Sequence, residues 1–195
     1  MTHGQFSGHP QAKWLTTDDK PDRQMQLLGD LRFTDPEGKV WLAPAEYVVD
    51  GASIPRALWT LVGSPYTGDY RRASVVHDKA CDDAKGNAAA RRAADRMFYH
   101  ACRAGGCSTR EAILLYIGVR IGALTTQVAA WSETSADNVE RAHLFRTAGE
   151  ERLEADFRLA GQDVLAQGEV DDPFEIERRT DIALSTFTGV DLRGK

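Results

Sequence analysis

The chain has 195 residues, with 29 acidic against 24 basic side chains and a formal net charge of −5. That balance leaves no excess of cations to offset phosphate repulsion over a broad face, which excludes a nucleic-acid binder as the first reading. With 42% hydrophobic and 27% charged residues, the composition is that of a soluble globular chain long enough for one well-buried domain and an appended arm.

The opening MTHGQFSGHPQAKW has no charged segment followed by an apolar one, so no secretory signal is read and synthesis in the cytoplasm is expected. Three cysteines (Cys81, Cys102 and Cys107) give no even disulfide framework and no C-x-x-C, so they read as small apolar packing in a reducing compartment. The five histidines show no zinc-ligand spacing; His100, near the far end of its helix, reads as a surface or cap residue.

Residues 1 to about 24 are polar and turn-rich and predict an irregular arm or a short edge strand. From Met25 the pattern becomes strand-like, over 25–28 and 31–33. Asp35-Pro36-Glu37-Gly38 gives a turn, 40–42 a return strand and 47–49 a third. The expectation is a small antiparallel β-meander over 25–50. Ser53 with Pro55 then reads as the start of a helix through Val62, Ser53 being its N-cap rather than a nucleophile because no G-x-S-x-G elbow surrounds it.

The stretch from Asp69 to Ala104 reads as two helices joined at Lys85-Gly86-Asn87, since Gly and Asn adopt the positive φ that ends helices. Ala73, Val76, Ala80, Cys81 and Ala84 repeat at helical spacing before the turn, and Ala94, Phe98, Ala101 and Cys102 after it. His77 falls in the first stripe and Asp95 in the second. Each stands nine residues from Gly86, so an antiparallel hairpin sets them at the same height. A carboxylate aimed at an imidazole fixes its tautomer and raises its basicity, as a general base requires. The same pair also serves as a structural hydrogen bond satisfying two half-buried groups. The basic pairs Arg71-Arg72 and Arg91-Arg92 read as solvated helix surface or as contacts for anionic headgroups.

Ser108 to Glu111 is a capping box opening a helix from Glu111 to about Trp131. Its apolar run approaches a membrane span, but Arg120 in the middle favours a buried core helix. Gly118 and Gly122 suggest close packing against a neighbouring helix. Tyr116 and Arg120 share a face that reaches toward His77. From Ser135 to Ala166 the chain turns charged and amphipathic, as a peripheral helix or two split near Gly149, and a further helix follows over 174–184. The fold expected is α+β, mostly α, with one domain over 1–131 and a C-terminal helical extension over 132–195.

The segments VVDGASIPRALWTLVG, VVHDKA and RRAADRMFYHA resemble a phage- and prophage-associated domain family of unknown function, family 1353, over roughly Gln5 to Trp131. His77-Asp78 on one helix, with Asp95 and Phe98 on the next, is also similar to the core of phospholipase A2 enzymes, closest to the disulfide-poor viral and bacterial forms. That second resemblance implies His77 as the base that activates water and Asp95 as its orienter. It implies Asp78, with the Asp50-Gly51-Ala52-Ser53 loop, as the calcium site. Calcium held there would polarise the ester carbonyl. Ser53, Tyr116 and Arg120 are then expected near the oxyanion, and Trp59, Leu61 and Tyr66 as a peripheral membrane-contact rim. The sequence departs from the phospholipase pattern, with H-D-K-A-C for H-D-x-C-Y, Gly51 alone in the calcium loop, and no disulfide scaffold.

The leading expectation is a phospholipase A2-like ester hydrolase, phage-borne or a secreted antibacterial effector, delivered to a target-cell envelope or carried in a phage particle. Two alternatives stand beside it: a non-catalytic virion, tail or interaction module, and a cell-wall peptidase or amidase using the same dyad with another metal. A virion, secretion-apparatus or immunity protein is the protein partner these readings imply.

Overall fold

The computed structural model describes residues 2–17, 20–49, 54–64, 67–125, 127–131 and 147–193, with the side chains of 16, 17 and 20–23 left aside. Six strands come first: β1 (Gln5–Phe6), β2 (Ala12–Thr17), β3 (Lys20–Leu27), β4 (Leu31–Thr34), β5 (Val40–Ala43) and β6 (Val48–Val49). Six helices follow: α1 (Trp59–Val62), α2 (Arg71–Asp83), α3 (Ala88–Gly105), α4 (Thr109–Leu124), α5 (Ala148–Ala166) and α6 (Pro173–Thr188). The architecture is α+β and mostly helical, as expected.

The strands form two three-stranded antiparallel sheets, ordered β1-β4-β5 and β2-β3-β6, where a single meander was expected. The β4–β5 hairpin is the part legible from pattern. Leu31 and Phe33 point inward and Arg32 outward, and the Asp35 carboxylate accepts from the backbone N–H of Glu37 and Lys39 and from the Trp41 indole. The second sheet is built on β3, which extends upstream to Lys20 and pairs with β2 through backbone groups that need no apolar alternation.

Helix α4 is the axis of the helical part. Ten of its sixteen residues are buried, so it has no polar face. The Ser108–Glu111 capping box starts it, and it stops at Leu124, before the expected Trp131. Thr125 there turns its hydroxyl back to the Gly122 carbonyl at 3.0 Å, a local bond that competes with helix propagation. A separate 3-10 turn, Ala129–Trp131, follows. Gly118 makes room not for a helix but for the Ile54 side chain, which lies 3.4 Å from where a Cβ would stand. Among the described residues no helix is long and apolar enough to cross a membrane.

α5 begins where a split near Gly149 was expected, with Thr147 and Glu150 forming its capping box. Buried residues from Leu27 to Leu192 join one hydrophobic core, so α5 and α6 complete the interior that α2, α3 and α4 begin. The segment 132–146 lies outside the described residues.

Candidate functional site

The α2–α3 hairpin turns where the sequence places it. Gly86 takes a φ of 74°, and the Asn87 side chain accepts from the Ala90 N–H at 3.0 Å to cap α3. With the turn fixed, His77 and Asp95 meet across the seam. His77 Nε2 lies 2.9 Å from Asp95 Oδ1, and both side chains are 0% exposed. Phe98 flanks the imidazole, with ring centroids 4.7 Å apart.

Two further side chains enlarge the dyad, and sequence reasoning assigned neither to it. Cys81, one turn after His77, places Sγ 3.5 Å from Nε2 and 3.7 Å from Nδ1. It is the only one of His77, Asp95 and Cys81 that reaches the surface, being half-buried. Arg91, one turn before Asp95, donates from Nε to Asp95 Oδ1 at 3.0 Å and from Nη2 to the Val119 carbonyl at 3.2 Å. Asp95 Oδ1 therefore takes two donors, while its buried Oδ2 has no hydrogen-bond partner. The i, i+4 spacing was the available signal for both, since residues four apart share a helix face. Cys81 packs against the core as its apolar reading expects and also meets the imidazole, whereas Arg91, expected as solvated surface, is drawn inward to Asp95.

The electrostatics follow from this enclosure. Burial works against the charged form of His77, but the Cys81 sulfur and the Asp95 hydrogen bond outweigh it and push the imidazole up to about 9. Arg91 is likewise raised: its desolvation is outweighed by the charge of Asp95, with Cys81 and Asp78 adding to the effect. An imidazole held this way accepts a proton readily. It acts as a base only once that proton has been given up, on the alkaline side of neutrality.

The remaining expected residues are distributed as follows. Asp78 is buried beside the trio on α2, close enough for its charge to favour Arg91. Asp50, Gly51, Ser53 and Tyr66 lie outside the described residues. Tyr116 and Arg120 are buried but engaged by α6: Tyr116 donates to Glu177 at 3.4 Å and Arg120 to Asp181 at 2.8 Å. The Tyr116 hydroxyl is held well above its ordinary pKa, first by burial and then by the charges of Asp95 and Glu177. Trp59 and Leu61 are half-buried against the core rather than fully exposed, and the Trp59 indole donates to the Ile54 carbonyl at 3.0 Å. Among the described residues, the large apolar side chains most open to solvent are Phe174, Leu28, Trp14 and Val40. A cleft of about 430 Å³ between β5 and α2 is lined by Val76, Lys79, Ala80 and Asp83, on a different face of α2 from Cys81.

His100, expected at the surface or a cap, is buried. Its Nδ1 lies 3.1 Å from His3 Nδ1, and His3 Nε2 lies 3.0 Å from Asp171. Contacts 97 and 168 residues apart leave no local trace in the sequence.

Residues 25–119 match the model of the family described as "Protein of unknown function (DUF1353)". The family resemblance read from the sequence stands for this stretch. The DUF1353 match runs from β3 into α4 and includes His77, Asp78, Cys81, Arg91, Asp95 and Tyr116, while Arg120 and the carboxylates of α6 fall outside it. Two proteins of Sinorhizobium fredii (strain NBRC 101917 / NGR234) are similar to the chain. "Uncharacterized protein y4jT" is 37% identical over 116 residues, 60% of this chain and 33% of its own length. "Uncharacterized protein y4iH" is 37% identical over 93 residues, 48% of this chain and 38% of its own length. The chain thus spans between about a third and two fifths of the length of these two relatives. No solved structure matches it. None of these likenesses supports the phospholipase A2 relationship.

Proposed function

We propose that this protein is an ester hydrolase in which His77, oriented by Asp95, takes a proton from the attacking water. The observation that carries the reading is the 2.9 Å bond between His77 Nε2 and Asp95 Oδ1, made by two fully buried groups from facing helices. A base needs its tautomer fixed and its ring held, and Asp95 supplies both while Arg91 holds Asp95 in turn. Phospholipid is the substrate class implied by the resemblance of the helix pair. Calcium, in this proposal, takes Asp78 and oxygens of the 50–53 loop, a hard-cation set distinct from the nitrogen and sulfur of His77 and Cys81. Substrate, in this proposal, approaches between Cys81 and Arg91, the two half-buried members of the cluster.

The test is fatty-acid release from mixed phospholipid vesicles with and without calcium, comparing the wild-type protein with His77→Gln. Loss of release in a variant that keeps its helical circular dichroism supports the proposal; an equal rate in the two removes it.

One observation favours a second reading. The imidazole is fully enclosed and its carboxylate partner is shared with Arg91, which suits a structural clasp in a non-catalytic interaction module. Inertness on vesicles and on cell-wall substrate, with saturable binding to a purified virion, secretion-apparatus or immunity protein, would favour that module.

A further inference from the structure

We infer that His77, Cys81 and Asp95 form a chelating site for a borderline-soft divalent cation of the zinc class. One ligand atom from each of the three lies within 4.8 Å of the others. The donor set is one imidazole nitrogen, one thiolate sulfur and one carboxylate oxygen. That set is wrong for calcium, which takes six to eight oxygens, and right for zinc, which takes nitrogen, sulfur and oxygen in a tetrahedron.

The spacing agrees. At metal–ligand bonds of about 2.0–2.3 Å, a tetrahedron separates nitrogen from oxygen by about 3.3 Å and nitrogen from sulfur by about 3.6 Å. The structure has 3.5 Å between His77 Nε2 and Cys81 Sγ, and the 2.9 Å hydrogen bond from His77 Nε2 to Asp95 Oδ1 holds the carboxylate beside the same nitrogen, leaving Oδ2 as the oxygen for a cation. His77 and Cys81 stand four apart on one helix, the offset by which two side chains of a single helix grip zinc in the H-E-x-x-H pattern. Asp95 arrives from the facing helix and fixes the third corner.

The unpartnered Asp95 Oδ2 is the independent sign. A buried carboxylate oxygen with no donor is costly, and a cation is one way to satisfy it. Arg91 remains on Oδ1 and orients the carboxylate, as the partners of metal ligands commonly do. Binding displaces the proton that His77 Nε2 shares with Asp95, and the cation takes that proton's place. One movement is needed. Cys81 Sγ is nearly equidistant from the two ring nitrogens and so lies over the ring, and a rotation about its Cα–Cβ bond brings the sulfur toward the lone pair of Nε2. The fourth position is left for water or an anion.

This inference goes beyond the hydrolytic reading and does not rest on it. A cation on Nε2 displaces the N–H through which Asp95 orients the base, so the two states exclude one another.

The test is a cobalt(II) titration of the untagged, metal-free protein under argon with a non-chelating reductant. The expected result is one equivalent bound, with a thiolate-to-cobalt charge-transfer band in the near ultraviolet, intense tetrahedral bands in the visible, and bleaching of both by zinc. Cys81→Ser should abolish the charge-transfer band, and Asp95→Asn should weaken binding by about tenfold or more. His3→Gln, in the separate His3–His100 cluster, should change nothing. Absence of any band, or a charge-transfer band that persists in Cys81→Ser, overturns the proposal. Cys81 is half-buried and peripheral to the core, so that variant answers even if Asp95→Asn fails to fold. Ester release by the same protein, resupplied with calcium alone, is scored separately: inactivity there counts against hydrolysis and leaves the cation site standing.

Discussion

Two assemblies of charge flank helix α3, and adjacent arginines divide them. Arg91 turns to Asp95, His77 and the Val119 carbonyl. Arg92 turns to α6, giving Nη1 to Glu177 at 2.7 Å and Nη2 to Asp181 at 2.8 Å. On the α6 side every carboxylate oxygen is taken, since Arg96 binds the second oxygen of Glu177 and Arg120 the second of Asp181. On the His77 side one oxygen collects both donors and the other collects none. A network whose acceptors are all filled serves as a clamp, fastening α6 to α3 and α4. A network with an acceptor left over and a half-buried thiol beside it can bind or react. The contrast also explains how Arg120 sits inside the most apolar helix: its charge is matched by Asp181, not by a membrane surface.

The sharpest way to break this contrast is to exchange functional and structural loss between the sides. His77→Gln should reduce ester release by about 10²- to 10⁴-fold, the usual reach of a proton-transfer residue, and leave the α6 clamp intact. Vesicle assays together with circular dichroism read both halves. Asp181→Asn should do the reverse, destabilising the protein by about 3–5 kcal/mol in urea melts, because Arg92 and Arg120 are left buried against a neutral partner. Its cobalt or hydrolytic signal, measured below the melt, should match wild type. A change in that signal would mean the two assemblies are coupled through α3.

A smaller effect is expected from the third polar cluster, where His100 faces His3, with Asp35, Glu37 and Asp171 around it. Burial and the neighbouring His3 hold His100 below its ordinary pKa. The unfolded chain then binds the proton at a pH where the folded one does not, so this contribution is present at neutral pH and is lost as pH falls below about 6.5. Thermal midpoints should decline over that range, and His100→Gln should flatten the decline. The smallest effect is a control outside all three clusters: Ser108→Ala removes the cap of α4 and should cost about 1 kcal/mol in the same urea melts, with no effect on metal or ester chemistry.

What the sequence determined by itself is the local part: the hairpin turn at Gly86-Asn87, the capping box of α4, the β4–β5 hairpin, and the equal height of His77 and Asp95 about the turn. Each follows from nearest-neighbour backbone preference or from a helical period, and these act over a few residues. Cys81 and Arg91 stood in the same periodicity, but a half-buried cysteine and a helix-surface arginine look like packing and solvated charge until the facing helix is in place. Only the tertiary structure decided that the polar upstream segment pairs as a second sheet, that Tyr116 and Arg120 answer to Glu177 and Asp181, and that His3 reaches His100 and Asp171. Those outcomes depend on which charges share a desolvated interior, and desolvation is set by contacts between segments 60 to 170 residues apart, where no local pattern records the partner.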